Sequence, residues 1–176
     1  MKNMTCWAIG GFLFTSILGT LLHFAFEWSG GDTFVALFSA VNESIWEHMK
    51  LILVPMVVFS LIQYRYAQGV GEGYWCQKLR SILVALVLIP VIYYTYTGIL
   101  GKSVDWFNIA IFFISGGIAY RSEAIRFQKG TACSISCNSS KIILILLVLF
   151  FAFFTFSPPR IPLFADPRTG QYGFLG

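Results

Sequence analysis

Long unbroken apolar runs, not an alternation of apolar and polar positions, set the pattern of this chain. The first, 7–28, is 22 residues long, about 33 Å as a helix at roughly 1.5 Å per residue. Lys2 ahead of it imitates the start of a signal peptide. The run exceeds a signal-peptide core, however, and no small-x-small cleavage site follows, so it reads as a retained span. Four more runs follow at about 44–65, 81–100, 104–120 and 139–156, each near the ~17–25 residues that cross a bilayer. Pro55 and Pro90 fall inside the second and third, where neighbouring helices can satisfy the freed carbonyls. Gly116 and Gly117 offer the fourth a close-packing face, and Lys141 can snorkel from the fifth.

Between the first two spans lies 34–41, apolar apart from Ser39 and opened by a cap at Asp32 or Thr33. It is too short to cross a bilayer. Either it is an interfacial or re-entrant turn, or it begins one long helix through to Tyr64, since no Gly or Pro separates Phe34 from Val54. The tail, 157–176, holds four of the six prolines, with Ile161, Leu163, Phe164, Tyr172 and Phe174. So many large apolar groups argue for an ordered segment folded over the end of the bundle, with turns at Asp166-Pro167 and Thr169-Gly170. The expected fold is all-α: a single polytopic transmembrane bundle over 1–176, with about five spanning helices, a short interfacial or re-entrant helix and an ordered C-terminal tail.

Composition supports the bilayer as solvent. The chain is 57% hydrophobic and 11% charged, against roughly 25% charged in soluble domains. Its net charge of +4 forms no basic stripe, so no nucleic-acid partner is expected; the expected partner is lipid, and protein partners are not specified. With five spans, Lys2, Arg65, Lys78, Arg80, Arg121, Arg126, Lys129 and Lys141 share one side, against Lys50, Lys102, Arg160 and Arg168 on the other. That bias puts the N-terminus in the cytoplasm and the C-terminus outside. Cys6, Cys76, Cys133 and Cys137 then all lie on the cytoplasmic side and are expected to be reduced, Cys133 and Cys137 being a weak metal pair.

Acidic residues collect on the other side. Glu27, Asp32, Glu43, Glu47, Asp105 and Asp166 are six of the eight, and both histidines, His23 and His48, join them. Ionisable groups within a span cost at least ~2.5–3.5 kcal/mol each, so they persist where they pair or line a wet cavity. His23 and Glu27 share a helix face. At about 100° per residue, Asn42, Glu43, Trp46, Glu47 and Lys50 fan across one face of the second span, with Ser44 and His48 pointing to a different side. Three readings stay open, one of them metal-free chemistry or transport at these same residues. His23, Glu27, Glu43 and Glu47 form a site for a divalent metal, zinc, manganese or iron. Alternatively, Glu47 pairs with Lys50, His23 pairs with Glu27, and the cluster only fixes helix register. Trp28, Trp46 and Trp106, with Tyr93, Tyr94 and Tyr96, read as an outer aromatic belt.

The segments His23-Phe24-Ala25-Phe26-Glu27, Val41-Asn42-Glu43-Ser44-Ile45-Trp46-Glu47-His48-Met49-Lys50 and Pro158-Pro159-Arg160-Ile161-Pro162-Leu163-Phe164-Ala165-Asp166-Pro167-Arg168-Thr169-Gly170-Gln171-Tyr172-Gly173 resemble a family of small multi-pass bacterial membrane proteins, a domain of unknown function. The resemblance covers nearly the whole chain and implies a bacterial plasma membrane; it implies no activity.

Three functions follow from the residues. The first is a metal-dependent hydrolase or transferase acting on a lipid or lipid-linked substrate at the outer leaflet. There Glu43, Glu47 and His48 are the catalytic candidates, and Asn42, Trp46, Lys50, Arg160, Arg168 and Tyr172 the substrate contacts. The second is a carrier or channel for a small ion or solute, against which the inner halves of the spans hold almost no ionisable residues. The third is a non-catalytic subunit built on a polar knot.

Overall fold

The computed structural model describes residues 4–67 and 73–174; Lys2, counted above in the charge bias, lies outside them. Six helices follow in order: α1 (Met4–Trp28), α2 (Thr33–Ala36), α3 (Ile45–Tyr66), α4 (Tyr74–Leu100), α5 (Asp105–Gln128) and α6 (Cys137–Phe156). A 3-10 turn, Pro162–Phe164, closes the tail, and the described residues hold no strand. Short connections make successive long helices antiparallel. The C-terminal ends of α1, α4 and α6 therefore meet the start of α3 at what is called here the tail end.

Four helices, α1, α3, α4 and α6, are long and apolar enough to cross a membrane. This is one fewer than expected. The fifth candidate, 104–120, is a helix of ample length, but α5 continues through Arg121, Glu123 and Arg126 and is less apolar than the others. Lys78 and Arg80 likewise sit inside α4, not in a loop before it. The expectation that this half is nearly free of ionisable groups fails for a physical reason: the charges pair. Lys78 and Glu123 form a buried ion pair, and the Lys78 ammonium lies 5.5–5.8 Å from the rings of Tyr74, Phe59 and Tyr120.

Helix α3 is the most buried of the apolar helices and forms the centre of the bundle. The carbonyl of Leu51 has no helical donor, because the residue four positions on is Pro55. This carbonyl faces α1 at Gly19, where a Cβ would stand 2.7 Å from it. Glycine there allows the two backbones to approach. Gly116 and Gly117, expected as a close-packing face, make only ordinary contacts, 3.5 Å or longer.

The segment 34–64 is not one helix. Asp32 caps α2 by accepting from the backbone N–H groups of Phe34 and Val35, and Ser44 caps α3 by accepting from Glu47 N. Between the caps the chain turns. The carboxylate of Glu47 reaches back to Val41 N at 3.3 Å, a variant of the reciprocal capping box. Beyond it, Lys50 is completely buried. Its ammonium lies 2.6 Å from Glu47 Oε2 and donates to Ala36 O at 2.7 Å and Thr155 Oγ1 at 2.8 Å. The Thr155 hydroxyl donates in turn to Glu47 Oε1 at 3.0 Å. This knot joins α2, α3 and α6.

Aromatic packing closes the tail end. Trp46, expected in a surface belt and as a substrate contact, is buried instead. It stacks on Phe151 at 3.9 Å and meets Phe164 of the tail at 4.5 Å. Tyr96, also expected in the belt, is buried and bonds Asn108, while Trp28 and Trp106 are exposed. Over its described residues, 157–174, the tail is folded. Ala165 pairs with Tyr172, and Gly170 N donates to Asp166 O at 2.8 Å. Gly173 has φ 68°, and a Cβ there would lie 2.8 Å from Thr155 O.

At the opposite end the cysteines differ from expectation. Cys76 and Cys133 form a disulfide; Cys6 and Cys137 are free. The α5–α6 loop is drawn over α4 because Gln77 donates to Thr131 O at 2.7 Å and Arg80 to Ala132 O at 3.3 Å. That places Cys133 beside the first turn of α4.

Glu47→Gln leaves the Lys50 ammonium buried without its counter-charge. The expected cost is about 3–5 kcal/mol, read as a lower thermal unfolding midpoint in detergent. Glu47→Leu combined with Lys50→Met is expected to recover most of it, since no unpaired charge then remains. A double variant less stable than Glu47→Gln would contradict the knot.

Candidate functional site

Because Ser44 ends the turn and begins α3, Glu43 is not on a helix face. Asn42 Oδ1 accepts from Ser44 N at 2.9 Å, and Glu43 N donates to Asp166 Oδ2 at 3.2 Å. These bonds aim the Glu43 side chain across α3 toward α1. One turn into α3, His48 Nδ1 lies 2.9 Å from Ser44 O. A carbonyl only accepts, so Nδ1 carries the proton and Nε2 presents its lone pair. A backbone partner that fixes the tautomer in this way is the usual support of a metal-binding histidine.

His48 Nε2 lies 3.6 Å from Glu43 Oε2, and His23 Nε2, from the last turns of α1, lies 3.8 Å from Glu43 Oε1. The two imidazole rings are 5.4 Å apart. One ligand atom from each of His23, Glu43 and His48 falls within 4.8 Å of the others, and the three could hold a metal ion. Around a tetrahedral ion at roughly 2.0–2.2 Å, ligand atoms stand about 3.4 Å apart, so the Glu43 separations are close to what coordination needs. The side chains of His23, Glu43 and His48 are 29%, 29% and 27% exposed: open enough for a further ligand. Arg168 Nη1 approaches Glu43 Oε1 to 3.8 Å from the tail.

The group forms part of the rim of a cavity of about 360 Å³ between α1, α3, α4 and α5. Asp105 and Asn108, together with Ser103 and Tyr93, reach the same cavity from the α4–α5 side. No motif spacing in the sequence signals these four. Ser103 comes from the α4–α5 connection, Asp105 and Asn108 from the first turn of α5, and Tyr93 from α4.

The other residues expected in the site lie elsewhere. Glu47 and Lys50 saturate each other in the buried knot. Glu27 is exposed and outside the three-residue group, so its expected pairing with His23 gives way to Glu43. The side chains of Asn42 and Tyr172 serve the tail: Asn42 Nδ2 donates to Gly173 O at 3.2 Å, and Tyr172 packs on the core. Arg160 is exposed, and Arg168 alone among the tail cations approaches Glu43 within the described residues. His48, expected to point away from Glu43, joins it because the Ser44 cap breaks the helix-face reasoning. The Ser44-x-x-Glu47 spacing of a capping box was the signal for that break.

The chain belongs to a family of unknown function (DUF6512), which it matches over residues 1–174, as the resemblance in its sequence implies. Neither a curated protein nor a solved structure matches it.

Detergent-purified protein is expected to carry about one divalent ion per chain by elemental analysis. His23→Ala, Glu43→Gln and His48→Ala each remove a ligand and are expected to lower occupancy about tenfold or more. Glu27→Gln is expected to leave it unchanged. Full retention of metal in the three ligand variants would exclude this site.

Proposed function

We propose that the protein is a metal-dependent hydrolase or transferase that acts on a lipid or lipid-linked substrate at the outer face of a bacterial plasma membrane. The observation that carries this reading is the group of two imidazoles and one carboxylate open onto a cavity. Catalytic zinc commonly has three protein ligands of these kinds and one open position, whereas structural sites are closed. Zinc suits the donors best; manganese and iron accept them too. A zinc ion there would lower the pKa of a bound water to roughly 7, supplying a nucleophile at neutral pH. In this reading His23, Glu43 and His48 are the ligands, and Arg168 draws in and neutralises an anionic group of the substrate. Glu47 takes no part as a base, being committed to Lys50 and Thr155.

One observation favours transport as a second reading. Lys78 and Glu123 place ionisable groups in the half opposite the site, and Glu123 Oε2 has no partner among the described residues. Against it, the pair is sealed from solvent, and none of its surrounding groups lines the cavity.

Comparison of lipid extracts from cells expressing wild-type protein and His48→Ala tests the enzymatic reading. The expected outcome is a lipid product, resolved by mass spectrometry, that accumulates only with the wild type. Identical lipid profiles from a protein shown to carry metal would overturn it.

The Lys/Arg bias supports an outward-facing tail end. The Cys76–Cys133 disulfide favours the inverse orientation, because structural disulfides persist in oxidising compartments. A membrane-impermeant maleimide applied to intact cells is expected to leave the exposed Cys6 unlabelled until the membrane is permeabilised. Labelling of intact cells would turn the protein over and place the site on the cytoplasmic face.

A further inference from the structure

The cavity extends deeper than three metal ligands require. At about 360 Å³ it lies near the small end of ligand pockets, roughly 300–1,000 Å³. Its chemistry changes with depth. Polar groups occupy the rim: Glu43, His48 and Arg168 on one side, Asp105 and Asn108 on the other. Asn108 is held there by the hydroxyl of Tyr96, which donates to its Oδ1, and by Ser103 Oγ, which accepts from its Nδ2 at 2.9 Å. Beneath the rim the wall is formed by Leu51, Ile89 and Ile111, all buried apolar residues. Gly19 completes it: a Cβ there would stand 2.6 Å from Phe112 Cζ.

The cavity also has a side. Phe24 of α1 and Ile109 and Phe113 of α5 line it, yet are 42%, 61% and 38% exposed on the apolar flank of the bundle. Thr20, exposed on α1, lies on the same edge. Apolar side chains that line a cavity and are also exposed on the flank of a bundle mark an opening to its side. Arg168 is the one cation among the described lining residues, and it is largely exposed, placed to meet an anion at the rim.

We infer that this cavity takes the single hydrocarbon chain of an anionic amphiphile, which enters sideways from the bilayer between α1 and α5. Its anionic head sits at Arg168, beside the His23–Glu43–His48 group, and its chain lies against Leu51, Ile89 and Ile111. A cavity this near the small end of ligand pockets favours one chain over the two of a common phospholipid. This names the substrate class of the site proposed above and rests on that reading for its chemistry, but not for its binding.

The probe is a diazirine-bearing palmitate, photolysed with the full chain in phosphatidylcholine vesicles and mapped by mass spectrometry. Metal is measured on the same sample. The expected result is crosslinking to Leu51, Ile89 or Ile111 that saturates and is displaced by excess unlabelled palmitate. Thr20→Trp and Ile109→Trp, which narrow the entrance from α1 and from α5 and replace none of the three donors, are expected to cut that labelling about fivefold or more with metal content and unfolding midpoint unchanged. Arg168→Gln is expected to weaken displacement by palmitate but not by hexadecanol. Crosslinks confined to exposed flank residues, or inner labelling indifferent to both tryptophan variants, would overturn the inference. Displaceable inner labelling in a metal-free protein would remove the metal reading alone and leave the chain-binding cavity standing.

Discussion

A buried ammonium surrounded by three oxygen acceptors holds the tail end of this bundle together. Lys50 reaches Glu47, Ala36 O and Thr155 Oγ1, all within 2.8 Å, and so ties the central helix to α2 before it and α6 far beyond it. In a bilayer such a charge is tolerable only if every donor is met. The requirement propagates outward. Ala36 must present its carbonyl, so α2 must stop there. Glu47 must point inward, so α3 must start at Ser44. Thr155 must approach, which brings α6 and the tail that follows it into place.

That arrangement sorts the acidic residues by task. Glu47 is consumed by the knot and cannot serve a ligand. Glu43, four residues earlier, lies outside the helix and is freed by the same cap that commits Glu47. Its backbone is fixed by Asp166, whose other oxygen accepts from Arg168 N at 2.7 Å and Thr169 N at 3.2 Å. One carboxylate of the tail thus sets both the candidate metal ligand and the loop that carries the rim arginine. The tail is therefore a structural part of the site.

The spans were legible because crossing a bilayer demands little more than length and apolarity, and α1, α3 and α6 begin and end within a few residues of the apolar runs. Helices α4 and α5 extend further than their runs because Lys78 and Glu123 neutralise each other, and a pairing across 45 residues leaves no local trace. The candidate site was legible as a set of polar residue types but not as a geometry. Glu43 does not share a helix face with Glu47, because Ser44 caps α3 and leaves Glu43 in the turn before it. The partnership of Lys50 with Thr155, 105 residues apart, and the disulfide between Cys76 and Cys133, could not be read from spacing at all.

The central claim is that the polar cluster divides into a closed knot and an open metal-binding group. An experimental structure with diffraction data collected across the zinc absorption edge addresses it directly. The account predicts one anomalous peak bounded by His23 Nε2, His48 Nε2 and the Glu43 carboxylate, with none at Glu47 and Lys50. A zinc-soaked crystal with no peak at the three residues, or with its peak at Glu47, would contradict it.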